Sequence, residues 1–173
     1  MVERLSSDRN PNLMLMNYSL SSGVRNLLVV PKHFFASDVI EERKPLAPTA
    51  RRAGWVGCNI LLSRIPEAGK IYIVRDATVL DRNTVLDQWK ATAFLRGESA
   101  GSRGWLLNVL KCVEDIGSEF FELSQVYEFE ERLSGLYPMN QHVRQKIRQQ
   151  LQVLRDQGVI EFLARGRYRL LRH

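Results

Sequence analysis

Long apolar runs, paired cysteines and a leader are all missing from this chain, and each absence removes a class of protein. No stretch of its 173 residues approaches the roughly 20 consecutive apolar residues that a membrane-spanning helix needs. The opening MVERLSSDRN lacks the apolar core of a signal peptide, so the expected location is cytoplasmic. Only two cysteines are present, Cys58 and Cys112, far apart and without the CxxC spacing of a zinc site. Each lies in an apolar stretch, and both are read as buried thiols. The three histidines sit in no motif that would anchor a Ser/His/Asp or Cys/His triad. Acid is missing where it would be most needed: RKPLAPTARRAGW, residues 43–55, holds four cations, two prolines and a tryptophan without one carboxylate. Like charges repel, and Pro45 and Pro48 forbid a helix that could spread them, so an anion is expected nearby.

What is present is ordinary in proportion and unusual in placement. With 45% hydrophobic and 25% charged residues, the chain has the composition of a soluble globular protein with room for one domain or two small ones. Residues 140–173 carry eight basic residues (Arg144, Lys146, Arg148, Arg155, Arg165, Arg167, Arg169, Arg172) against Asp156 and Glu161, which accounts for the whole net charge of +6. Cation concentrated on one end of an otherwise neutral chain is the footprint of a polyanion-binding face, with a solvated basic tail as the alternative.

The aperiodic, Gly- and Ser-rich LRGESAGSRG, residues 95–104, divides the chain into an N-terminal unit of 1–96, a linker of 97–103 and a C-terminal unit of 104–173. In the first unit NLMLMNYSL and RNLLVVP read as strands joined by the turn SLSSGVRN, and GKIYIVRD as a third strand. Asn83 or Thr84 is positioned to cap a helix over TVLDQWKATAFL, with Val85, Leu86, Trp89 and Ala93 at helical spacing. This is α/β material with fewer strands and helices than such a domain normally has.

The second unit reads as three helices and a hairpin. Leu106, Val109, Leu110 and Val113 mark one apolar face, closed by Gly117. A second helix is read through EFFELSQVYEFEERLSG, starting at Phe120 and Phe121, with Ser124 as N-cap and Val126, Phe129, Glu130 and Leu133 continuing at helical spacing to Gly135. After Pro138, Asn140 is expected to cap a third helix that ends at Gly158. VIEFLARGRYRLL then gives two short strands around ARGR, where Gly166 suits the positive φ of a tight turn. This is the order of a winged helix. On the third helix Val143, Ile147, Leu151 and Leu154 form one stripe, and Gln141, His142, Gln145, Arg148, Gln149 and Gln152 the opposite face, flanked by Arg144, Lys146 and Arg155. Gln can pair bidentately with adenine and Arg with guanine, so this face suits base reading, with Arg165, Arg167 and Arg169 of the hairpin on phosphates. An amphipathic helix with a merely polar outside is the competing reading, and His142 is taken as simply solvent-exposed.

RKPLAPTARRAGWVGCNI, with LLVVPKHF before it, FLRG and SRGW after it, and IRQQLQVLRDQGVIEFLARGRYRLL at the end, resembles the DpnI-like restriction endonucleases and their Dam-replacing relatives. The resemblance spans nearly the whole chain. It implies an α+β protein: part of a PD-(D/E)XK nuclease domain followed by a winged helix, binding double-stranded DNA at GATC with N6-methylated adenine. It also implies that Trp55 reads the methyl groups, with Arg51 and Arg52 on phosphates or base edges beside it and Gly54 admitting close approach; a buried structural role for Trp55 is the alternative. The family's Asp and Glu-x-Lys, which hold Mg²⁺, and its four-cysteine zinc site are absent from this sequence. Glu42-Arg43-Lys44 has the spacing, but Asp38 is too close and Pro45 interrupts the strand. No catalytic residue, metal ligand or cofactor is therefore expected in this chain, Mg²⁺ being a property of the full-length family enzyme. Two functions follow: the recognition portion of a methyl-directed nuclease whose N-terminal catalytic half lies elsewhere, or a non-catalytic methyl-GATC-binding or transcription-regulatory protein.

Overall fold

A computed structural model of the chain describes residues 11–171, so Arg172 lies outside the described residues. Alternating apolar residues at the start make the hairpin of β1 (Leu13–Ser19) and β2 (Gly23–Val30), as the sequence suggests. After two turns of 3₁₀ helix comes a second hairpin, β3 (Ile40–Glu42) and β4 (Cys58–Ile60), with the basic segment as its long connection. Strands β5 (Ile71–Arg75) and β6 (Thr78–Val79) then complete a four-stranded antiparallel sheet in the order β1-β2-β5-β6. Helix α1 (Arg82–Ala91) packs on β5 but buries none of its residues; Leu86 and Ala93 of the expected apolar stripe are exposed. Its cap is neither Asn83 nor Thr84. The Asp81 carboxylate accepts from both of their backbone N–H groups, so these residues are the first-turn donors rather than the acceptor.

Helix α2 (Ala100–Asp115) corrects the expected linker of 97–103. Ser99 Oγ accepts from Ser102 N, which starts the helix inside the Gly/Ser segment, and Arg103 is already buried in its first turn. Because α2 begins there, the core is continuous: Val30, Phe34, Phe35, Val39 and Ile65 of the first unit join one cluster with Leu106, Val109, Leu110 and Val113. Glu114 Oε2 adds a polar tie by accepting from Glu67 N at 2.8 Å. Of the two thiols, Cys112 is buried in this core as expected, whereas Cys58 on the edge-forming β4 is only half-buried.

Together with α2, the remaining elements form the winged helix. Phe120 and Phe121 do not begin a helix: they lie in β7 (Phe120–Glu122), because Phe121 is buried against Tyr168 of a strand far along the chain, rings stacked at 5.4 Å. The expected second helix is then two short ones, α3 (Leu123–Tyr127) and α4 (Glu130–Leu136). Glu122, not Ser124, caps α3, in a reciprocal pair with Gln125. Asn140 Oδ1 accepts from His142 N in the turn before α5 (Val143–Asp156), so it shapes the entry without being the cap. The strands β8 (Ile160–Ala164) and β9 (Arg167–Leu170) close around Gly166, whose φ of 75° is the positive value the turn requires, and the small sheet runs β7-β9-β8.

Candidate nucleic-acid interface

Helix α5 divides as its sequence demands. Val143, Ile147, Leu151 and Leu154 are buried in the shared core, and Gln141, His142, Arg144, Gln145, Arg148, Gln149 and Gln152 are exposed, with Lys146 half-buried. The outward side chains are not all loose. Lys146 Nζ donates to Gln149 Oε1 at 2.8 Å, and Arg155 is paired with Asp156. Arg144 Nε donates to Glu130 Oε2 at 2.7 Å, and Arg148 Nε donates to the Tyr127 phenol oxygen. The roles of Tyr127 and Glu130 as partners of α5 were invisible to sequence reasoning because the two belong to α3 and α4, and no local spacing links them to α5.

The wing is less uniform than its three arginines suggest. Side chains alternate across a strand, so Tyr168 faces one side of the small sheet and Arg167 and Arg169 the other. Tyr168 lies between Phe121 and Phe162. Phe121, Ile160 and Leu170 share that side and are buried in one core with Ile147, Leu151 and Leu154, so this is the side that faces α5. Burial pushes the Tyr168 phenol pKa up, with Tyr127 adding to the shift and the charges of Arg155 and Arg148 opposing it. On the opposite side Arg167 lies 3.8 Å from Glu122, and Arg169 lies 3.5 Å from both Glu119 and Glu161. Helix and hairpin therefore do not share all their cations on one surface. Arg165, exposed in the turn, is the wing arginine without a carboxylate among the described residues. It is tied to α5 through α3: the neighbouring Gly166 carbonyl accepts from Leu123 N at 2.8 Å, and one helical turn later Tyr127 holds Arg148.

The segment 43–55 is an ordered extension of the β3–β4 hairpin rather than a slack loop. Arg43 N donates to Gly57 O, Leu46 N to Trp55 O and Gly54 N to Leu46 O, at 2.9, 3.0 and 3.1 Å. This carries Arg51 and Arg52 to the exposed tip. Trp55 is neither buried nor free: the residue is 51% exposed and its ring packs against Gly57, where an added Cβ would meet Trp55 Cζ3 at 2.9 Å. The stem of Arg43 lies against the same position, its Cδ 3.6 Å from that Cβ. Gly57 thus leaves room for the Trp55 ring and the Arg43 stem at one position, which the sequence pattern alone did not reveal.

Among the described residues there is no group of three His, Cys, Asp or Glu side chains that could hold a metal ion. Asp38, Glu42 and Lys44 are no substitute. Burial raises the Asp38 carboxyl pKa, with a hydrogen bond from Asn108 opposing it, while Glu42 and Lys44 are exposed on the hairpin.

Helices α2, α3 and α4 leading to α5 with its amphipathic, cationic outside, framed by a three-stranded sheet with a terminal hairpin, define the winged helix-turn-helix class of DNA-binding proteins. No helix of the described residues is long and apolar enough to cross a membrane. More particularly, the chain belongs to the Dam-replacing (DpnI) family, whose model matches residues 1–98, followed by a match to the Dam-replacing HTH domain over residues 101–170. The matches agree with DNA binding by a DpnI-like protein.

Proposed function

We propose that this chain binds double-stranded GATC sites whose adenines carry N6-methyl groups. The observation that carries the reading is the half-exposed Trp55 indole, seated on Gly57 in a hairpin with four cations and no acid from residue 43 to 55. A methyl group on adenine N6 projects into the major groove as apolar surface. An indole face covers it at about 25 cal/mol per Å² while excluding water. Arg51 and Arg52 take the flanking phosphates. On the winged helix, Gln141, Arg144, Gln145, Arg148 and Gln149 face base edges, Lys146 lies at their border, and Arg165 takes backbone phosphate; Arg167 and Arg169 support the wing through their carboxylates.

Binding to duplexes with fully methylated and unmethylated GATC tests this. The methylated site is preferred by about 1–3 kcal/mol, and equal affinity for the two removes methyl reading. Gly57→Ala narrows the preference by displacing the indole, without changing the salt dependence. The chain alone binds without cutting: with Mg²⁺, methylated plasmid stays intact, and clean cleavage overturns this part. A PD-(D/E)XK catalytic half supplied from elsewhere makes the complex a nuclease; otherwise the protein acts by occupancy, as a regulator would.

A further inference from the structure

Two arginines of α5 are gripped from the preceding helices, and both grips leave the same end of the side chain available. Arg148 donates through Nε to the Tyr127 phenol oxygen, and its guanidinium carbon lies 5.7 Å from the centre of the Tyr127 ring. The Arg144 guanidinium carbon lies 5.0 Å from the same ring, and its Nε donates to Glu130 Oε2. One tyrosine therefore underlies two guanidinium groups that stand one helical turn apart on one face of α5. A guanidinium held through Nε still offers Nη1 and Nη2 as a planar fork, the donor pair that matches guanine O6 and N7.

Glu130 sharpens the point. A carboxylate beside a surface meant for a polyanion repels the ligand, so its presence there weakens general duplex binding. What it contributes in return is a fixed direction for Arg144. A side chain already held in its binding geometry loses less rotamer freedom when the ligand arrives.

We propose that Tyr127 and Glu130 are positioning residues that set Arg148 and Arg144 as two end-on forks for guanine edges, so that sequence discrimination depends on them more than duplex affinity does. This rests on α5 being the DNA-facing helix.

The test uses the full chain, with a GATC duplex and a scrambled duplex of the same length, both adenine-methylated, and a thermal melt of each variant. Tyr127→Leu lowers the ratio of specific to non-specific affinity about tenfold, the worth of a good bidentate contact, with non-specific affinity held within about twofold. Tyr127→Phe keeps the ring, loses the acceptor and shows a smaller drop. Glu130→Gln moves the two quantities in opposite directions: non-specific affinity rises and the ratio falls, which a purely structural residue would not do. If the wild type discriminates and folded Tyr127→Leu and Glu130→Gln discriminate as well, the positioning inference is overturned while the DNA reading stands. Parallel loss of both affinities in step with stability also overturns it. A wild type that cannot tell the duplexes apart overturns the α5 reading itself. Should Tyr127→Leu not fold, the ratio for Tyr127→Phe and Glu130→Gln decides.

Discussion

The winged helix buries most of its apolar side chains, whereas the N-terminal sheet leaves many of its own in water. In the C-terminal region Val126, Leu133, Ile147, Leu154 and Ile160 are all fully enclosed. In the N-terminal region Met14, Met16 and Val79, on the two outer strands of the sheet, are 64, 61 and 73% exposed, and Leu20 in the β1–β2 turn is 95% exposed. The first region is nonetheless anchored, because its Phe34, Val39 and Ile65 enter the core built around α2. The contrast teaches where stability resides: the inner residues of the first region join the core around α2, and the fold owes less to the outer strands of the sheet.

The largest expected effect comes from emptying that common core. Ile147 is fully buried on the inner face of α5, so Ile147→Ala costs about 2–5 kcal/mol of unfolding free energy. Leu15→Ala on half-buried β1 costs less, below about 1 kcal/mol, because much less surface returns to water. Urea unfolding followed by circular dichroism gives the two values. Hydrogen exchange read on β2 and α5 sharpens the comparison: a continuous core predicts that Ile147→Ala weakens protection in both. Protection lost from α5 alone would break the comparison by showing that the sheet is independently stable.

A second prediction uses pH. His33 lies at the junction, 5% exposed, with Nε2 unpartnered among the described residues. Burial, reinforced by the charges of Arg96, Arg103 and Lys32, pushes its imidazole pKa down to about 4. An unfolded histidine titrates near 6.5, so between about 6.5 and 4 the unfolded chain binds the extra proton. Stability is therefore full above the upper value and falls as pH drops through this window, by an amount on the order of 3 kcal/mol. Asp38 and Glu114, whose carboxyl pKa values burial raises, act in the opposite sense at the acid end. The difference between wild type and His33→Phe isolates the histidine. A pH profile of the same shape in both proteins would show that His33 is not held neutral at the junction.

How legible this arrangement was depends on how local its causes are. The inward stripe of α5 and the Gly166 turn follow from spacing and backbone chemistry within a few residues, and both stand in the structure as the sequence implied. The β1–β2 hairpin was legible for the same reason. Phe120 and Phe121 misled because helical spacing continues through them, while the partner that makes them a strand, β9, is specified far along the chain. The Gly/Ser segment misled in the opposite way. Ser99 is a good cap, but composition alone marks such a run as a linker. For the candidate site, the identity of the exposed residues was legible and their partners were not. Nothing near Arg169 in sequence announces Glu119, and nothing near Arg148 announces Tyr127.

The smallest expected effect is the one that separates the wing's cations. Arg165→Ala removes a tip charge that has no carboxylate partner among the described residues, so it weakens binding to every duplex alike and reduces the salt slope by about 1. Arg169→Gln removes a charge already opposed by Glu119 and Glu161 on the face of the sheet away from Tyr168, so the salt slope stays where it was. Its cost is structural and small, since the exposed ion pairs it breaks are worth below about 1 kcal/mol. Log–log plots of affinity against salt for the two variants give the answer directly. A slope that drops for Arg169→Gln and not for Arg165→Ala would reverse the sidedness of the hairpin and place DNA on the face opposite α5.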